Sequence, residues 1–309
     1  MKKLTAFLLI LTIAASLTVS ALAADYQNES VIGTTYTNEY DYIMSIQNAN
    51  ANELSEMGLS VDDAAAIVEA FETALHERAS LPEETLIGYG YTEDEISALR
   101  LYNARAVLTS EDMRAITGTC TGEITASYLT DTKATFKYAW EWDHAPIMKL
   151  TDSAAMRWLA FDSNGYDFDV TKTSAITRIN YYWNGSKQFY RTGTEEPDLE
   201  FNSINIQFDE SELFQSSTTM TEEAYAGDGY IQISVKVEPE VDNTISYLKV
   251  AALYGHTTIG MGPPSISLSP LGDISISFNG NVSIDPVGAA KVKIAHGSSN
   301  YKPVVTDIK

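Results

Sequence analysis

Cysteine is nearly absent. Cys120 is the single thiol in 309 residues, which excludes an internal disulfide and leaves stability to buried area. Basic residues are also scarce. Lys and Arg number 20 against 42 acids, a net charge of −22, and such a field repels nucleic acid and anionic lipid. Four histidines, His76, His144, His256 and His296, stand far apart, and none belongs to a His-x-His or His-Glu-x-x-His pattern. Long apolar runs are missing as well: no segment reaches the roughly 20 residues that a membrane-spanning helix needs.

The start of the chain sets the expected compartment. Met1-Lys2-Lys3 is basic, Leu4 to Ala15 is apolar, and Ala21-Leu22-Ala23 offers small residues. That is the pattern of a secretory signal peptide cleaved near Ala23. The expectation is a chain exported by a bacterium with a thick wall, released or loosely surface-associated. Loss of Lys2 and Lys3 with residues 1–23 would make the net charge −24. Residues 24–44 carry no strong periodicity and read as a flexible N-terminal segment.

Residues 45–117 read as helical. Ser60-Val61-Asp62-Asp63, Ser80-Leu81-Pro82-Glu83 and Thr92-Glu93-Asp94-Glu95 each carry a hydroxyl and, three residues on, a carboxylate that can cap reciprocally. Ala64, Ile67, Val68, Phe71 and Leu75 then fall on one face at helical spacing, as do Ile96, Leu99 and Tyr102. "MGLSVDDAAAI" and "YGYTEDEISAL" echo one another, with Gly58 and Gly90 placed to end one helix in a left-handed turn before the next begins.

From about Thr119 the period changes to two. "ATFKYAWEW" puts Ala134, Phe136, Tyr138, Trp140 and Trp142 on one side, and "YIQISVKVE" does the same with Ile231, Ile233, Val235 and Val237. Thirteen such runs, separated by Asn-Gly and Asp-Gly turns, predict a mainly β chain: an antiparallel β-sandwich over 118–309 behind a small α-helical segment. One large pair of sheets and two smaller sandwiches are both open. The stretch "PSISLSPLGDISISFNGNVSID" reads as a three-stranded meander with three-residue loops, pairing Leu268 with Ile274 and Ile266 with Ile276. It is too small to stand alone, so its aliphatic face must rest on another layer.

Several constellations bear on chemistry. Gly118-Thr119-Cys120-Thr121-Gly122 outlines a nucleophile elbow, but a helix precedes it and a strand follows, the reverse of what that device needs. Glu141, Asp143 and His144 in "WEWDHAP" are the candidate acid–base set of a secreted hydrolase. Asp162, Asn164, Asp167 and Asp169 in "DSNGYDFD" place oxygen ligands around a glycine, with calcium the candidate ion, although the loop lacks EF-hand spacing. Tyr181, Tyr182, Trp183, Phe189 and Tyr190 flank an Asn-Gly turn. In an unbulged two-residue hairpin Trp183, Tyr181 and Tyr190 share one face while Tyr182 and Phe189 share the other, so one row is expected to be exposed for stacking on sugars. The leading expectation is a non-catalytic binding or surface-associated module directed at glycans or the cell wall. The hydrolase is the alternative, and a pore-forming β protein, whose spanning strands would need about 9–11 residues, is a second.

Overall fold

The computed structural model describes residues 32–195, 202–218, 220–257, 265–268, 276–279, 284–297 and 303–308. The proposed leader lies outside the described residues. Where the sequence suggested a flexible segment, the chain forms β1 (Ile32–Asn38) and turns at once into α1 (Glu39–Asn48). Asn38 makes that corner. Its Oδ1 accepts from the N–H of Tyr40 at 3.0 Å, and its Nδ2 donates to Thr117 O at 3.2 Å.

Helices α2 (Ala51–Glu56), α3 (Val61–Ser80), α4 (Glu83–Gly88), α5 (Glu93–Asn103) and α6 (Ser110–Ile116) follow. Reciprocal caps at Ser60/Asp63 and Thr92/Glu95 form as expected, and two more appear at Asn50/Glu53 and Thr109/Asp112. The third expected cap does not. Pro82 occupies the position before α4 with no side-chain bond, and Ser80 Oγ instead donates to His76 O at the end of α3. Gly58 and Gly90 adopt φ of +77° and +94°, the left-handed turns that their echo implied. Ile67, Phe71, Leu75, Leu86, Leu99 and Ile116 are buried in a common helical core.

The β region forms two seven-stranded antiparallel sheets. In chain order the strands are β2 (Thr119–Leu129), β3 (Lys133–Trp142), β4 (Thr151–Phe161), β5 (Asp167–Phe168), β6 (Thr171–Trp183), β7 (Ser186–Arg191), β8 (Thr194–Glu195), β9 (Ser203–Asp209), β10 (Ser211–Gln215), β11 (Thr221–Lys236), β12 (Tyr247–Thr257), β13 (Ser265–Leu268), β14 (Ile276–Asn279), β15 (Ile284–His296) and β16 (Pro303–Asp307). The first sheet runs β1-β2-β3-β11-β6-β7, with β10 on β11. The second runs β16-β15-β12-β4-β9-β8, with β5 on β4. Among the described residues one pair of large sheets takes up every strand but β13 and β14.

The sheets face one another through aromatics. Phe136 meets Trp158 at 5.8 Å between ring centres, and Trp140 stacks on Phe208 at 5.6 Å. Phe136 and Trp140 lie on the side of β3 that period-two patterning grouped together. The far side of the second sheet is also covered: Ala155, Leu159, Ala251 and Leu253 point away from the sandwich and are still buried.

The serine-rich stretch is a correction in detail. β13 and β14 pair as a separate two-stranded ribbon with Ile266 opposite Phe278 and Leu268 opposite Ile276. This register is two residues away from the expected one, so the connection is longer than three residues while the same residues still alternate together. The third strand leaves the ribbon, because β15 pairs with β12 and β16 in the second sheet. β14 approaches β12 and β4, so the ribbon does rest on another layer.

The helical segment packs onto one end of the sandwich. Arg78, buried in α3, donates to Ala145 O at 2.8 Å, Pro146 O at 2.6 Å and Tyr91 Oη at 2.9 Å. Its charge is thereby spread over carbonyl and phenol oxygens at the loop after β3. Ala145, Ile147 and Tyr225 from the β region join the helical core. No helix among the described residues is long and apolar enough to cross a membrane.

Candidate functional site

At the end of the sandwich interior where the helices dock, four ionisable side chains converge out of reach of water. Glu39 opens α1, Asp152 lies near the start of β4, Glu210 follows β9, and His256 is near the end of β12. Asp152 and His256 take inward parity on their strands, beside Ala154 and Tyr254, so strand alternation itself drives them into the core. Their relative exposures are 2% or less.

Each is held by further bonds. Glu39 accepts from the N–H groups of Gly118 at 2.7 Å, Ile147 at 2.9 Å and Met148 at 3.1 Å. Asp152 accepts from Thr257 N–H at 2.9 Å and from the Tyr254 hydroxyl, which in turn accepts from Trp142 Nε1 at 3.0 Å. Glu210 Oε2 accepts from Leu150 N–H at 3.1 Å. His256 sits between them, with Nε2 3.2 Å from Glu39 Oε1, and Nδ1 3.3 Å from Asp152 Oδ1 and 2.8 Å from Glu210 Oε1.

Electrostatics follow from that placement. Burial alone would lower the His256 pKa, but the carboxylates of Glu210 and Asp152 outweigh it and hold the imidazole well above its ordinary value. Burial, then the neighbouring Asp152 charge, pushes Glu210 well up. Burial also works on Glu39, yet His256 and the backbone donors of Ile147 and Met148 bring it below the usual carboxylate value. Two neighbouring acids thus move in opposite directions, because one is fully hydrogen-bonded and the other is not.

A half-buried ion pair lies nearby. Lys149 Nζ is 2.5 Å from Glu223 Oε2 and 2.8 Å from Tyr89 Oη. Burial first, then Arg78, lowers the lysine to about 8, while Glu223, despite its burial, is held at about 2 by Lys149 and Tyr89. This pair ties α4 to β11 across the domain junction.

The expected acid–base set does not assemble. Trp142 and His144 are buried, and Asp143 is spent on the backbone, accepting from Thr119 N–H at 2.9 Å and His144 N–H at 2.8 Å. His144 stacks on Tyr91 at 4.2 Å with its ring nitrogens near Ala145 O and Ala115 O. Glu141 takes the face of β3 opposite Trp142, where burial, then the charges of Asp228, Glu123 and Asp143, raises its carboxyl above the ordinary value. Cys120 is a buried thiol within β2, with no strand–turn–helix elbow around it.

The expected oxygen-ligand loop closes on itself. Asp162 Oδ1 accepts from the N–H groups of Asn164 at 2.8 Å and Tyr166 at 2.9 Å, with Gly165 at φ +83°. Among the described residues, Asp162, Asp167 and Asp169 do not bring their oxygens together, whereas Asp152, Glu210 and His256 place ligand atoms within 4.8 Å of one another.

The aromatic hairpin keeps its two-residue turn, with Asn184 at φ +53° and Gly185 at φ +66°. A bulge then shifts the register. Tyr182 stays opposite Lys187, but Tyr181 faces Phe189 and Asn180 faces Tyr190. Gln188 is the extra residue, and its Nε2 donates to Trp183 O at 3.0 Å and Ser186 O at 2.9 Å. Tyr181 and Phe189 therefore stack at 4.9 Å, with Tyr181 in the core. Trp183 packs edge-on to Tyr89 at 5.5 Å, and Tyr182 donates to Asp228 Oδ2 at 2.5 Å. Tyr190 alone of the five stays largely exposed, at 55%.

No family model matches the chain, and no curated protein matches it. Among solved structures it is similar to one described as "AvmM Catalyzes Macrocyclization in Alchivemycin A Biosynthesis", at 14% identity, over 57% of this chain and 91% of that one. The TM-score of 0.23 is too low for that likeness to carry an argument about fold or chemistry.

Proposed function

We propose that the chain is an exported, non-catalytic module that binds an extended glycan across the outer face of its first sheet. The export half of this reading rests on the Met1 to Ala23 pattern. The binding half rests on one observation: a row of directly opposed residues, Tyr36, Thr121, Glu141, Asp228, Asn180 and Tyr190, crosses six neighbouring strands.

At about 4.8 Å per strand, the two terminal tyrosines stand about 24 Å apart. Both are exposed, at 59% for Tyr36 and 55% for Tyr190. Phenol rings stack on the apolar faces of sugars at low entropy cost. Between them lie carboxylate oxygens suited to accept from hydroxyls, and Asn180 Oδ1, a buried acceptor with no hydrogen-bond partner. Arg178 steadies one end, its guanidinium 4.1 Å from the centre of the Tyr190 ring.

A screen of the full chain against wall polysaccharides and a glycan array tests this. Binding that weakens about tenfold or more on Tyr36→Ala plus Tyr190→Ala supports it, since hot-spot aromatics carry 1–3 kcal/mol each. Absence of glycan binding overturns the binding face. Release of shortened products overturns the non-catalytic reading and moves Glu141, which burial and Asp228 raise above the ordinary carboxylate value, to the centre of a hydrolytic one.

A further inference from the structure

We propose that Asp152, Glu210 and His256 form an interior site for one divalent first-row metal cation, zinc by ligand chemistry, that locks the N-terminal corner to the sandwich. The proposal is independent of the glycan-binding face, which lies on the opposite side of the first sheet.

Four observations carry it. The first is tautomer control. Nε2 of His256 lies 3.2 Å from Glu39 Oε1, and Glu39 already accepts from three backbone N–H groups. A carboxylate so held accepts a hydrogen bond from Nε2–H and fixes that proton in place, so a metal that displaces the Nδ1 proton meets a lone pair directed toward Asp152 and Glu210. Metal-bound histidines are oriented in this way, by a carboxylate on the far nitrogen.

The second is an unsatisfied ligand. Glu210 Oε1 is fully buried and accepts no hydrogen bond, although it sits 2.8 Å from Nδ1. A buried carboxylate oxygen facing an imidazole nitrogen calls for positive charge at that point, a ring proton in the metal-free chain or a cation in its place.

The third is spacing. Ligand arms of about 2.0–2.1 Å at octahedral to tetrahedral angles put donor atoms about 2.8–3.4 Å apart. Nδ1 lies 3.3 Å from Asp152 Oδ1, 3.4 Å from Asp152 Oδ2 and 2.8 Å from Glu210 Oε1. Both oxygens of Asp152 are in range, so three side chains supply up to four donor atoms. One imidazole and two carboxylates suit zinc or manganese, whereas calcium asks for six to eight oxygens.

The fourth is the outer support. Asp152 is steered by Thr257 N–H and by the Trp142–Tyr254 relay, and Glu210 by Leu150 N–H. No ligand is free to turn away. Because the site is closed to solvent, its role is structural: one ion would join β4, β9, β12 and, through Glu39, the β1–α1 corner.

The test is refolding of the full chain from denaturant with zinc, manganese, calcium or chelator, followed by dialysis and elemental analysis. One tightly held zinc per chain, and a higher unfolding temperature than with chelator, supports the site. Glu210→Gln should lose that zinc, and Glu39→Gln, which alters the support of His256 and no ligand atom, should weaken it by about 10–100-fold. Cobalt-loaded wild type should show visible ligand-field absorption of the intensity that low-coordinate sites give, a readout that needs no variant to fold. Folded wild type without stoichiometric metal overturns the proposal. So does zinc retained equally by Glu210→Gln, which would place the ion on the acidic surface, and so does a stoichiometric preference for calcium.

Discussion

His256 Nε2 lies 3.2 Å from Glu39 Oε1, across 217 positions of sequence. That contact joins the first helix to the twelfth strand inside the molecule, beside the ties that Arg78 and Tyr89 make between the helical and β regions. The N-terminal helices are thus not an appendage to the sandwich; their first residue completes its interior.

Replacing Glu39 by Ala removes the acceptor of three backbone N–H groups and leaves His256 Nε2 buried without its carboxylate partner. Breaking one member of a buried charge cluster costs about 3–5 kcal/mol. Denaturant unfolding should show that loss in a single transition covering both regions. Two separate transitions in the wild type would show that the regions fold independently.

The centre also sets a pH dependence. His256 and Glu210 have folded pKa values raised above their ordinary 6.5 and 4.5. For both groups the native state then binds more protons than the unfolded chain, so stability falls as pH rises through those folded values. The contribution of His256 is complete below about 6.5. Glu39 runs the other way: its lowered value makes its contribution present above the ordinary 4.5 and lost on acidification. Metal-free protein should therefore be more resistant to denaturant near pH 5.5 than near pH 8.5. His256→Gln should flatten that slope; an unchanged slope in the variant contradicts the assignment.

Trp183 and Tyr190 should separate structure from binding. Gly88 packs directly beneath the Trp183 indole, with space for a Cβ closed by ring atoms at 2.6 Å. Trp183→Ala should cost about 3–5 kcal/mol of stability and leave glycan affinity within twofold. Tyr190→Ala should do the reverse, costing little stability and most of the affinity. Calorimetry and a binding titration on the two variants check both.

Cys120 is fully buried in β2 between the sheets. A thiol reagent should label it at the rate of unfolding and not before. Rapid modification of the native chain would contradict its placement in the core.

Much of the architecture was legible because it is repetitive. The inward positions of β3 and β11 are apolar at every second residue, and the serine and threonine caps of α3 and α5 sit directly ahead of helical runs. What escaped was non-periodic. Gln188 adds one residue to a hairpin whose Asn184-Gly185 turn was correctly placed, and that bulge alone moved Phe189 from the side of Tyr182 to that of Tyr181. The buried centre escaped because its members come from four distant segments, each unremarkable by itself. A signal was present: Asp152 shares parity with Ala154, Met156 and Trp158, and His256 with Val250, Ala252 and Tyr254. A charged residue in phase with a fully apolar row requires a partner across the core, and the two rows belong to adjacent strands.

The most direct test is the charge state of His256, read by nitrogen-15 histidine spectra of the metal-free chain, with His256→Gln to assign the signal. The arrangement of Glu39, Asp152 and Glu210 predicts an imidazole protonated on both nitrogens at pH 7.5, with zinc displacing the Nδ1 proton and leaving that on Nε2. A neutral ring that titrates near 6.5 would contradict it.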